Sequence, residues 1–199
     1  LSTENYFVGA DRNPLDEAGK PDFEHLEAVD LDLFNAQLGR LVEGGEVTLP
    51  FFNFRTRQRE YRGHRLRVEP DEVVPVEGIH GLNPALTRAV PGERLFRVYV
   101  SALTQLGVDA NNRVSTTDNR LMRRIIRDRR FRGHSVLETL ERWPSVRRGE
   151  KRWIFPYQRE ANATFNSALD YELAVLKPIV EPLLMEIKPS HETYAEARR

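Results

Sequence analysis

The residues with the clearest chemical potential are arginines gathered between positions 120 and 132. This stretch reads RLMRRIIRDRRFR, and seven of its thirteen residues are arginine. A guanidinium group presents five N–H donors in a planar arrangement that matches the oxygens of phosphate or carboxylate groups. The cluster is therefore consistent with three partners: nucleic acid, a phosphorylated small molecule, or solvent along an exposed helix face.

The overall charge of the chain bears on which partner the arginines bind. The 199 residues include 30 basic and 30 acidic side chains, so the formal net charge is zero. A domain dedicated to nucleic acid is usually basic overall, which makes a nucleic-acid partner a poor match. All but four of the basic residues are arginine. Because codon preference alone can produce such a bias, we expect some of these arginines to be plain surface residues.

A second chemical feature is a carboxylate at the end of an apolar run. Residues 73–78 read VVPVEG, and Glu77 stands where a Walker-B strand places its acidic residue. Such a carboxylate acts on Mg²⁺, directly or through water, beside the phosphates of a nucleotide. The pattern is short, and any buried strand with an acidic end also matches it.

The chain contains no G-x-x-x-x-G-K-[ST] motif, the loop whose backbone amides and lysine hold nucleotide phosphates in P-loop enzymes. Its Gly19-Lys20 pair is followed by proline and has the wrong spacing for such a loop. The sequence begins at Leu1 without methionine, and it ends in a polar helical stretch. We therefore expect it to be part of a longer protein.

Composition sets the broad class. With 40% hydrophobic and 30% charged residues, the chain resembles ordinary globular domains, and its length suffices for one domain with a sizeable core. No apolar run reaches membrane-spanning length, and the N-terminus lacks a signal-peptide pattern. The absence of cysteine excludes disulfides and zinc–thiolate sites, and it fits a reducing cytoplasm.

Capping residues and periodicity predict the elements of the first half. LSTENYF is typical of a strand end that runs into a loop, and residues 9–25 have the Gly, Pro and Asp content of a loop. Apolar spacing predicts a helix from an Asp30 N-cap to a stop at Gly44-Gly45. VTLPFFNF and RLRV predict a hairpin that turns around residues 61–64.

The second half alternates strands and helices. Apolar strands are predicted up to Glu77 and over residues 95–102, and a helix over STTDNRLMRRIIRD with caps from Ser115 to Asp118. The apolar seam of this helix is expected to be buried and comprises Leu121, Met122, Ile125 and Ile126. Further helices are predicted over residues 135–143 and 171–187, the latter disturbed by Pro178 and Pro182.

Apolar strands that alternate with helices predict an α/β fold with a parallel sheet covered on both faces. Ligands of such sheets bind beyond the carboxyl ends of the strands. The candidate functional positions therefore follow the predicted strands and are Glu4 and Asn5, Glu77 to His80, and Ser101 to Gln105.

From Leu1 to about Ile187, the chain resembles the uridine kinase and phosphoribulokinase family of P-loop kinases, most closely a bacterial uridine-kinase-like branch often carried in multidomain proteins. The segments that carry the resemblance are LSTENYFV, PDFEHLEAVDLDLFN, VEGIHGLNP, YVSALTQL, RVSTTDNRLMRRIIRDRRFRGHS, ERWPSVRRGEKRWIFPYQ and FNSALDYELAVLKP. The resemblance implies one P-loop NTPase-like, three-layer domain over residues 1–199, with a mainly parallel sheet and a lid at about residues 127–152. It also implies that the P-loop strand lies upstream of LSTENYF, so that this chain is truncated.

The resemblance implies catalytic roles for three residues. Glu4 matches the family's catalytic base, a position that usually holds aspartate, and would accept the proton of the attacking hydroxyl. Glu77 would act on Mg²⁺. Arg124, on the substrate side of its helix, would stabilise the transferring phosphoryl group. Burial of the apolar seam is expected to turn Arg120, Arg124 and Arg127 toward the rim of the cleft.

The resemblance also implies a substrate site. Phe23 and Glu24 match an aromatic residue and an acid that the family places against ribose, and Phe52 matches an aromatic residue near the base. Arg57 stands where a histidine helps to bind uracil, which suggests an acceptor more anionic than uridine, or no pyrimidine at all. Arg120 would lie on the substrate side of its helix.

The remaining arginines are implied to act on the nucleotide. Arg127, Arg130 and Arg132 would lead into the lid, with Gly133 as its hinge. Guanidinium groups suit this position because their planar donors match phosphate oxygens.

The resemblance implies an ATP-dependent small-molecule kinase that uses Mg²⁺ and transfers the γ-phosphoryl group to a hydroxyl of a nucleoside or related sugar-containing substrate. Without the P-loop, this chain alone is expected to be inactive and to bind ATP-Mg²⁺ weakly. The alternative is a non-catalytic nucleotide- or RNA-binding module that kept the kinase fold. We expect a cytoplasmic protein with no membrane partner, and a homo-oligomer is an open possibility.

Overall fold

The structure is a computed structural model that describes residues 1–17, 19–103, 107, 109–111 and 114–198. It is an α/β protein whose described residues divide into two compact units. The first unit comprises Leu1–Tyr99 with Arg148–Ala163, and the second comprises Val100–Arg147 with Thr164–Arg199. In the described part of the chain, no helix is both long enough and apolar enough to cross a membrane. A single kinase-like domain over residues 1–199 stays a prediction.

The predicted helices are present, whereas the strands differ from the prediction: some are shorter, one extends further, and one, over residues 163–166, was not predicted. The helices are α1 (Leu31–Val42), α2 (Thr116–Arg127), α3 (Val136–Gly149), α4 (Glu172–Met185) and α5 (Tyr194–Arg198). The strands are β1 (Val47–Asn53), β2 (Gln58–Leu66), β3 (Val98–Ser101) and β4 (Ala163–Asn166). Two π-helical turns follow α2 and α3, over Asp128–Arg132 and Glu150–Ile154. Between residues 9 and 25, the described residues form no helix or regular strand, as the loop prediction expected.

Helix α1 begins and ends where its capping residues predict. The Asp30 carboxylate accepts a hydrogen bond from the Leu33 N–H at 3.1 Å, and Gly44 takes a positive φ of 78° just after the last turn. The apolar face of α1 packs into the core of the first unit, which contains Tyr6, Val29, Phe34, Leu38, Leu86 and Val90. This core also supports the segment that carries Glu4.

The β1–β2 hairpin is antiparallel, but the prediction of its turn at residues 61–64 is wrong. The chain turns just after Asn53, whose Oδ1 accepts from the Arg55 N–H at 3.1 Å, and Arg57 takes a positive φ of 55° in the same turn. Gly63 lies inside β2 with φ 77°, where the pairing register with β1 shifts. A glycine within a strand can mark a bulge, and here it marks this irregularity in place of a turn.

The predicted strand ending at Glu77 is only partly formed. Val73 is exposed, but Ser2 and Glu77 form a parallel bridge, and the Thr3 N–H donates to the Glu77 carbonyl at 2.9 Å. The predicted opening strand likewise ends after Ser2, where the 3₁₀ turn Thr3–Tyr6 begins. The two segments therefore run in parallel for a few residues only.

Strands β3 and β4 form a second pair. The Asn162 N–H donates to the Arg97 carbonyl at 2.8 Å, and the Ser167 N–H donates to the Ser101 carbonyl at 2.9 Å. Hydrogen-bond partners thus advance in the same direction along both strands, so the pair is parallel. The α/β class with parallel pairing is confirmed, although β3 is shorter than the predicted strand over residues 95–102.

Helix α2 buries its predicted seam in the core of the second unit. Leu121 and Ile125 are buried, and Met122 and Ile126 pack partly buried against the same cluster. The Ser115 hydroxyl caps the helix by accepting from the Thr117 N–H at 3.2 Å. Other members of the cluster come from later in the chain and include Val136, Leu140, Trp143, Val146, Val180 and Ile187. Burial of such side chains stabilises by about 1.5–3 kcal/mol each, which determines the face that α2 turns inward.

A bidentate ion pair joins α2 to α4 within the second unit. The Glu172 carboxylate accepts from Nε of Arg123 and, at 2.6 Å, from its Nη2, while Asn119 Nδ2 donates to the same carboxylate at 3.1 Å. The hydrogen bond from Arg123, assisted by that from Asn119, holds the pKa of Glu172 below its usual value of 4.5, although burial opposes the shift.

We expect Glu172→Gln to lower the free energy of unfolding at neutral pH by about 1.5–3 kcal/mol, because hydrogen bonds between charged groups are lost. The carboxyl pKa is lower in the folded state, so this stabilisation is present above pH 4.5 and is lost as the pH falls through the folded-state pKa. Urea unfolding of both proteins at neutral and at acidic pH measures the difference. Glu181→Gln, at an exposed position of α4, is the control. A difference that stays equal at both pH values would contradict the ion pair.

Candidate active site

Glu4, the predicted catalytic base, lies half-buried in the 3₁₀ turn Thr3–Tyr6. Residues on both sides of it are anchored. Thr3 is buried and bonded through its N–H to the Glu77 carbonyl, and Tyr6 is buried with its ring edge-on to Phe34 at 4.9 Å between centroids. The backbone at Glu4 is therefore held at a defined position.

Polar contacts tie the same turn to α1 and β1. The Tyr6 hydroxyl donates to Oε1 of Gln37 at 2.8 Å, and Oδ1 of Asn5 accepts from the Phe52 N–H at 3.3 Å. Burial, with a smaller contribution from Tyr61, raises the pKa of Tyr6 to about 12. The hydroxyl thus stays protonated at neutral pH and remains a donor.

Gly78 allows the Glu77 segment to approach the turn closely. Its φ is 154°, and a Cβ at this position would collide with the Thr3 hydroxyl. Glu77 itself is exposed, and Glu4 follows directly on the residue bonded to it. The two carboxylate-bearing residues thus lie at the carboxyl ends of adjacent parallel segments, where α/β proteins bind ligands.

Phe23 and Glu24, the residues predicted to contact ribose, are half-buried in the loop before α1. The Glu24 N–H donates to Oδ1 of Asp22 at 3.0 Å, and the Glu24 side chain lies so close to Gly149 that a Cβ there would collide with it. Trp153 contacts the next residue of the loop, His25, edge-on at 4.5 Å between ring centroids. The π-helical turn after α3 therefore packs against the predicted ribose-binding segment.

Phe52 and Arg57 occupy contrasting environments on the hairpin. Phe52 is buried, with edge-to-face contacts to Phe7 at 5.5 Å and Phe54 at 5.2 Å. Arg57 is exposed in the turn. Their roles in base binding stay predictions.

His80 was named by its position after a predicted strand, and the structure places it in the interior. It is 1% exposed, and its ring lies 6.5 Å from that of Trp153. Among the described residues, neither ring nitrogen makes a hydrogen bond of ordinary geometry. Burial lowers the pKa of His80 to about 4, and nearby backbone groups of His25 and Glu24 offset only part of the effect. His80 is therefore a neutral buried imidazole.

The arginines between 120 and 132 separate by environment. Three are exposed, namely Arg127, Arg129 and Arg130, while Arg120 is half-buried and Arg123 binds Glu172. Arg124 and Arg132 both contact the carboxylate of Asp128, and their side chains are 19% and 13% exposed. Arg124 is thus largely covered, where the sequence suggested an exposed position at a rim.

Asp128, which contacts two of the predicted site residues, was not itself among the predictions. Its sequence signal is an acid four residues after Arg124 and four residues before Arg132, a spacing that allows ion pairs on one helical face. Gly133, the predicted hinge, ends the π-helical turn in the left-handed conformation with φ 71°. Of the positions predicted after β3, Thr104 and Gln105 lie outside the described residues.

The resemblance to the kinase family is tested by comparison with models of protein families. The model of the phosphoribulokinase / uridine kinase family matches residues 9–174. The chain belongs to this family. The match includes Phe23, Glu24, Phe52, Glu77 and the whole arginine segment, while Glu4 precedes it.

Curated proteins similar to this chain include several named uridine kinase. The uridine kinase of Chloroflexus aggregans is 31% identical over 167 residues, which cover 83% of this chain and 71% of that protein. The uridine kinase of Bacillus pumilus is 28% identical over 163 residues, covering 81% and 69%. That of Ligilactobacillus salivarius is 26% identical over 178 residues, covering 88% and 74%.

Membership of a kinase family implies the use of ATP and Mg²⁺. The described residues can therefore be compared with what these two ligands require. Among the described residues, no three His, Cys, Asp or Glu side chains gather into a metal site. Glu77 offers one exposed carboxylate, which suits a Mg²⁺ ion that keeps several waters and is bound mainly by phosphate oxygens. The 199 residues contain no G-x-x-x-x-G-K-[ST] motif, the loop that holds nucleotide phosphates in P-loop enzymes.

Proposed function

We propose that the protein is an ATP-dependent kinase that transfers the γ-phosphoryl group to a hydroxyl of a nucleoside or a related sugar-containing substrate. The observation that carries the proposal is the anchored turn of Glu4 beside the Glu77 segment, in a member of a kinase family. The proposal includes the three-layer, mainly parallel P-loop fold that the resemblance implies.

Glu4 is the proposed general base. A carboxylate next to the acceptor hydroxyl takes up its proton as the oxygen attacks, which raises the nucleophilicity of the oxygen. Glutamate retains this chemistry with one more methylene than the aspartate usual in the family. The anchored Thr3 and Tyr6 on either side support a defined position for the longer side chain.

The acceptor site is proposed to include Phe23, Glu24, Phe52, Arg57 and Arg120. An acid and an aromatic ring suit a sugar, because the carboxylate accepts from hydroxyl groups while the ring packs against the apolar sugar face. Exposed Arg57 favours an acceptor that carries negative charge.

The phosphoryl side is proposed to use Arg124 for the transferring group and Arg127, Arg130 and Arg132 in a lid over residues 127–152. Fixed guanidinium groups stabilise the charge that develops on the phosphoryl oxygens. Mg²⁺, when bound on the nucleotide near Glu77, supplies neutralisation of that charge. The phosphate-binding loop is proposed to come from sequence outside these 199 residues.

The test compares the 199-residue chain with the full-length protein in a phosphoryl-transfer assay with ATP, Mg²⁺ and a panel of nucleosides and sugar phosphates. We expect turnover from the full-length protein and none above background from the 199-residue chain, because the chain lacks the triphosphate cradle. Calorimetry on the chain alone should show weak ATP binding. Tight ATP binding by the chain would contradict our interpretation of the missing loop. An inactive full-length protein that binds RNA with steep salt dependence would replace the kinase with an RNA-binding module.

A further inference from the structure

Asp128 is a buried carboxylate in the centre of the arginine segment. Its side chain is 2% exposed, and it lies at the junction between α2 and the π-helical turn Asp128–Arg132. A buried carboxylate is costly unless cations and hydrogen-bond donors compensate it. The groups that compensate the Asp128 carboxylate therefore indicate its role.

The carboxylate joins three consecutive elements. Oδ2 accepts from Nε of Arg124, in the last turn of α2, at 3.2 Å, and Oδ1 accepts from Nη1 of Arg132, at the end of the π-helical turn, at 3.2 Å. The Thr139 hydroxyl, in the first turns of α3, lies 3.4 Å from Oδ2. The backbone adds to this junction, because the His134 N–H donates to the Asp128 carbonyl at 3.2 Å.

Asp128 contacts both guanidinium groups through individual nitrogens. Arg124 is contacted through Nε and Arg132 through Nη1. A guanidinium group has five N–H donors, so it can hold a carboxylate at one nitrogen and a phosphoryl oxygen at another. Contact with Asp128 therefore restricts the orientation of both groups and remains compatible with phosphate binding.

We propose that Asp128 is a positioning residue for phosphoryl transfer: it orients Arg124 and Arg132 and fixes the root of the segment that starts the lid. The proposal rests on the kinase function proposed above. Asp128 contacts the arginines and acts through them, and no contact between Asp128 and a substrate is part of the proposal.

An electrostatic role and a positioning role of Asp128 predict opposite results when its negative charge is removed. If Asp128 only weakened the positive charge of the arginines, its neutralisation would strengthen nucleotide binding and leave turnover unchanged or faster. If it positions them, its neutralisation weakens a contact that orients both guanidinium groups, and turnover falls even though the local positive charge increases. The direction of the change in kcat therefore separates the two roles.

The experiment measures kcat and the KM for ATP in the full-length protein and in its Asp128→Asn variant, which keeps the size of the side chain. We expect kcat to fall by about 10- to 100-fold, with a smaller change in KM. Thr139→Val removes the longest of the three side-chain contacts to Asp128, together with the hydrogen bond from the Thr139 hydroxyl to the Ser135 carbonyl at 3.1 Å, and should reduce kcat less. Glu141→Gln removes an exposed acid from α3 and is the matched charge control, with kcat unchanged.

The Nε–H signal of Arg124 in ¹⁵N NMR spectra gives a readout that does not depend on activity. We expect it to be protected from exchange in the wild type and exposed in Asp128→Asn, with the thermal unfolding of both proteins checked alongside.

An unchanged or higher kcat in a folded Asp128→Asn protein would overturn the proposal. If Asp128→Asn fails to fold, a Thr139→Val variant with wild-type kcat and an unprotected Arg124 signal would overturn it instead. An inactive wild-type protein would count against the kinase function, while the NMR comparison would still test the orienting contact.

Discussion

Glu4→Gln in the full-length protein is expected to lower kcat for phosphoryl transfer by about 10³-fold, because general-base catalysis typically contributes 10²–10⁴-fold. Glutamine has nearly the same shape as glutamate but cannot take up the proton of the acceptor hydroxyl. The KM values should change little, since the proton transfer belongs to the transition state. Steady-state kinetics with the best acceptor of the panel measures both parameters.

Two further variants make this result specific to Glu4. Glu4→Asp restores the acid usual in the family and should retain most of the activity lost in Glu4→Gln, because both acids accept a proton. Glu43→Gln removes an exposed acid after α1 and should behave as wild type. The anchored neighbours Thr3 and Tyr6 predict unchanged thermal unfolding for all three proteins. Full turnover in Glu4→Gln would exclude this residue as the base.

Protonation of His80 is expected to destabilise the folded chain in acid. Its pKa falls from 6.5 to about 4 on burial, so the unfolded state binds the proton more tightly between these values. Stability from neutral His80 is therefore complete above pH 6.5 and decreases as the pH falls toward 4. A shift of this size corresponds to about 3 kcal/mol in the free energy of unfolding.

A variant without the imidazole separates the effect of His80 on the pH dependence of stability from the effect of the carboxylates. His80→Phe keeps a flat ring against Trp153 and has no titrating group. Urea unfolding between neutral and acidic pH should show a loss about 3 kcal/mol smaller in His80→Phe than in the wild type. His64→Gln, at an exposed strand position, should reproduce the wild-type profile. Parallel profiles for wild type and His80→Phe would show that His80 is not held neutral by the fold.

Local signals predicted the helices well because caps and periodicity act within a few residues. Asp30 and Gly44 bound α1, and Ser115 caps α2, in agreement with the sequence. The predicted position of the hairpin turn is wrong because glycine is common both in turns and at strand irregularities, and Gly63 lies at a shift in the strand register. The turn itself depends on the side chain of Asn53, a weaker sequence signal.

The candidate site was predicted in part. Residue types and segment order indicated Glu4 and Glu77 and their family, and the parallel bridge brings their segments together. The burial of His80 depends on Trp153, which lies far along the chain and reaches the loop through the turn after α3. Contacts of that kind leave no periodic trace in a single sequence.

By itself the sequence determined the family, the helix limits and the density of arginine, because all three depend on residue identity and near neighbours. Only the tertiary structure decided which arginine reaches a distant partner and which are covered. Arg123 binds Glu172, 49 residues away, whereas the contacts of Arg124 and Arg132 with Asp128 follow local helical spacing and only their burial depends on packing. The physical reason is that helical spacing determines which neighbours share a face of the same helix, whereas distant partners and solvent exposure depend on which other elements pack against that helix.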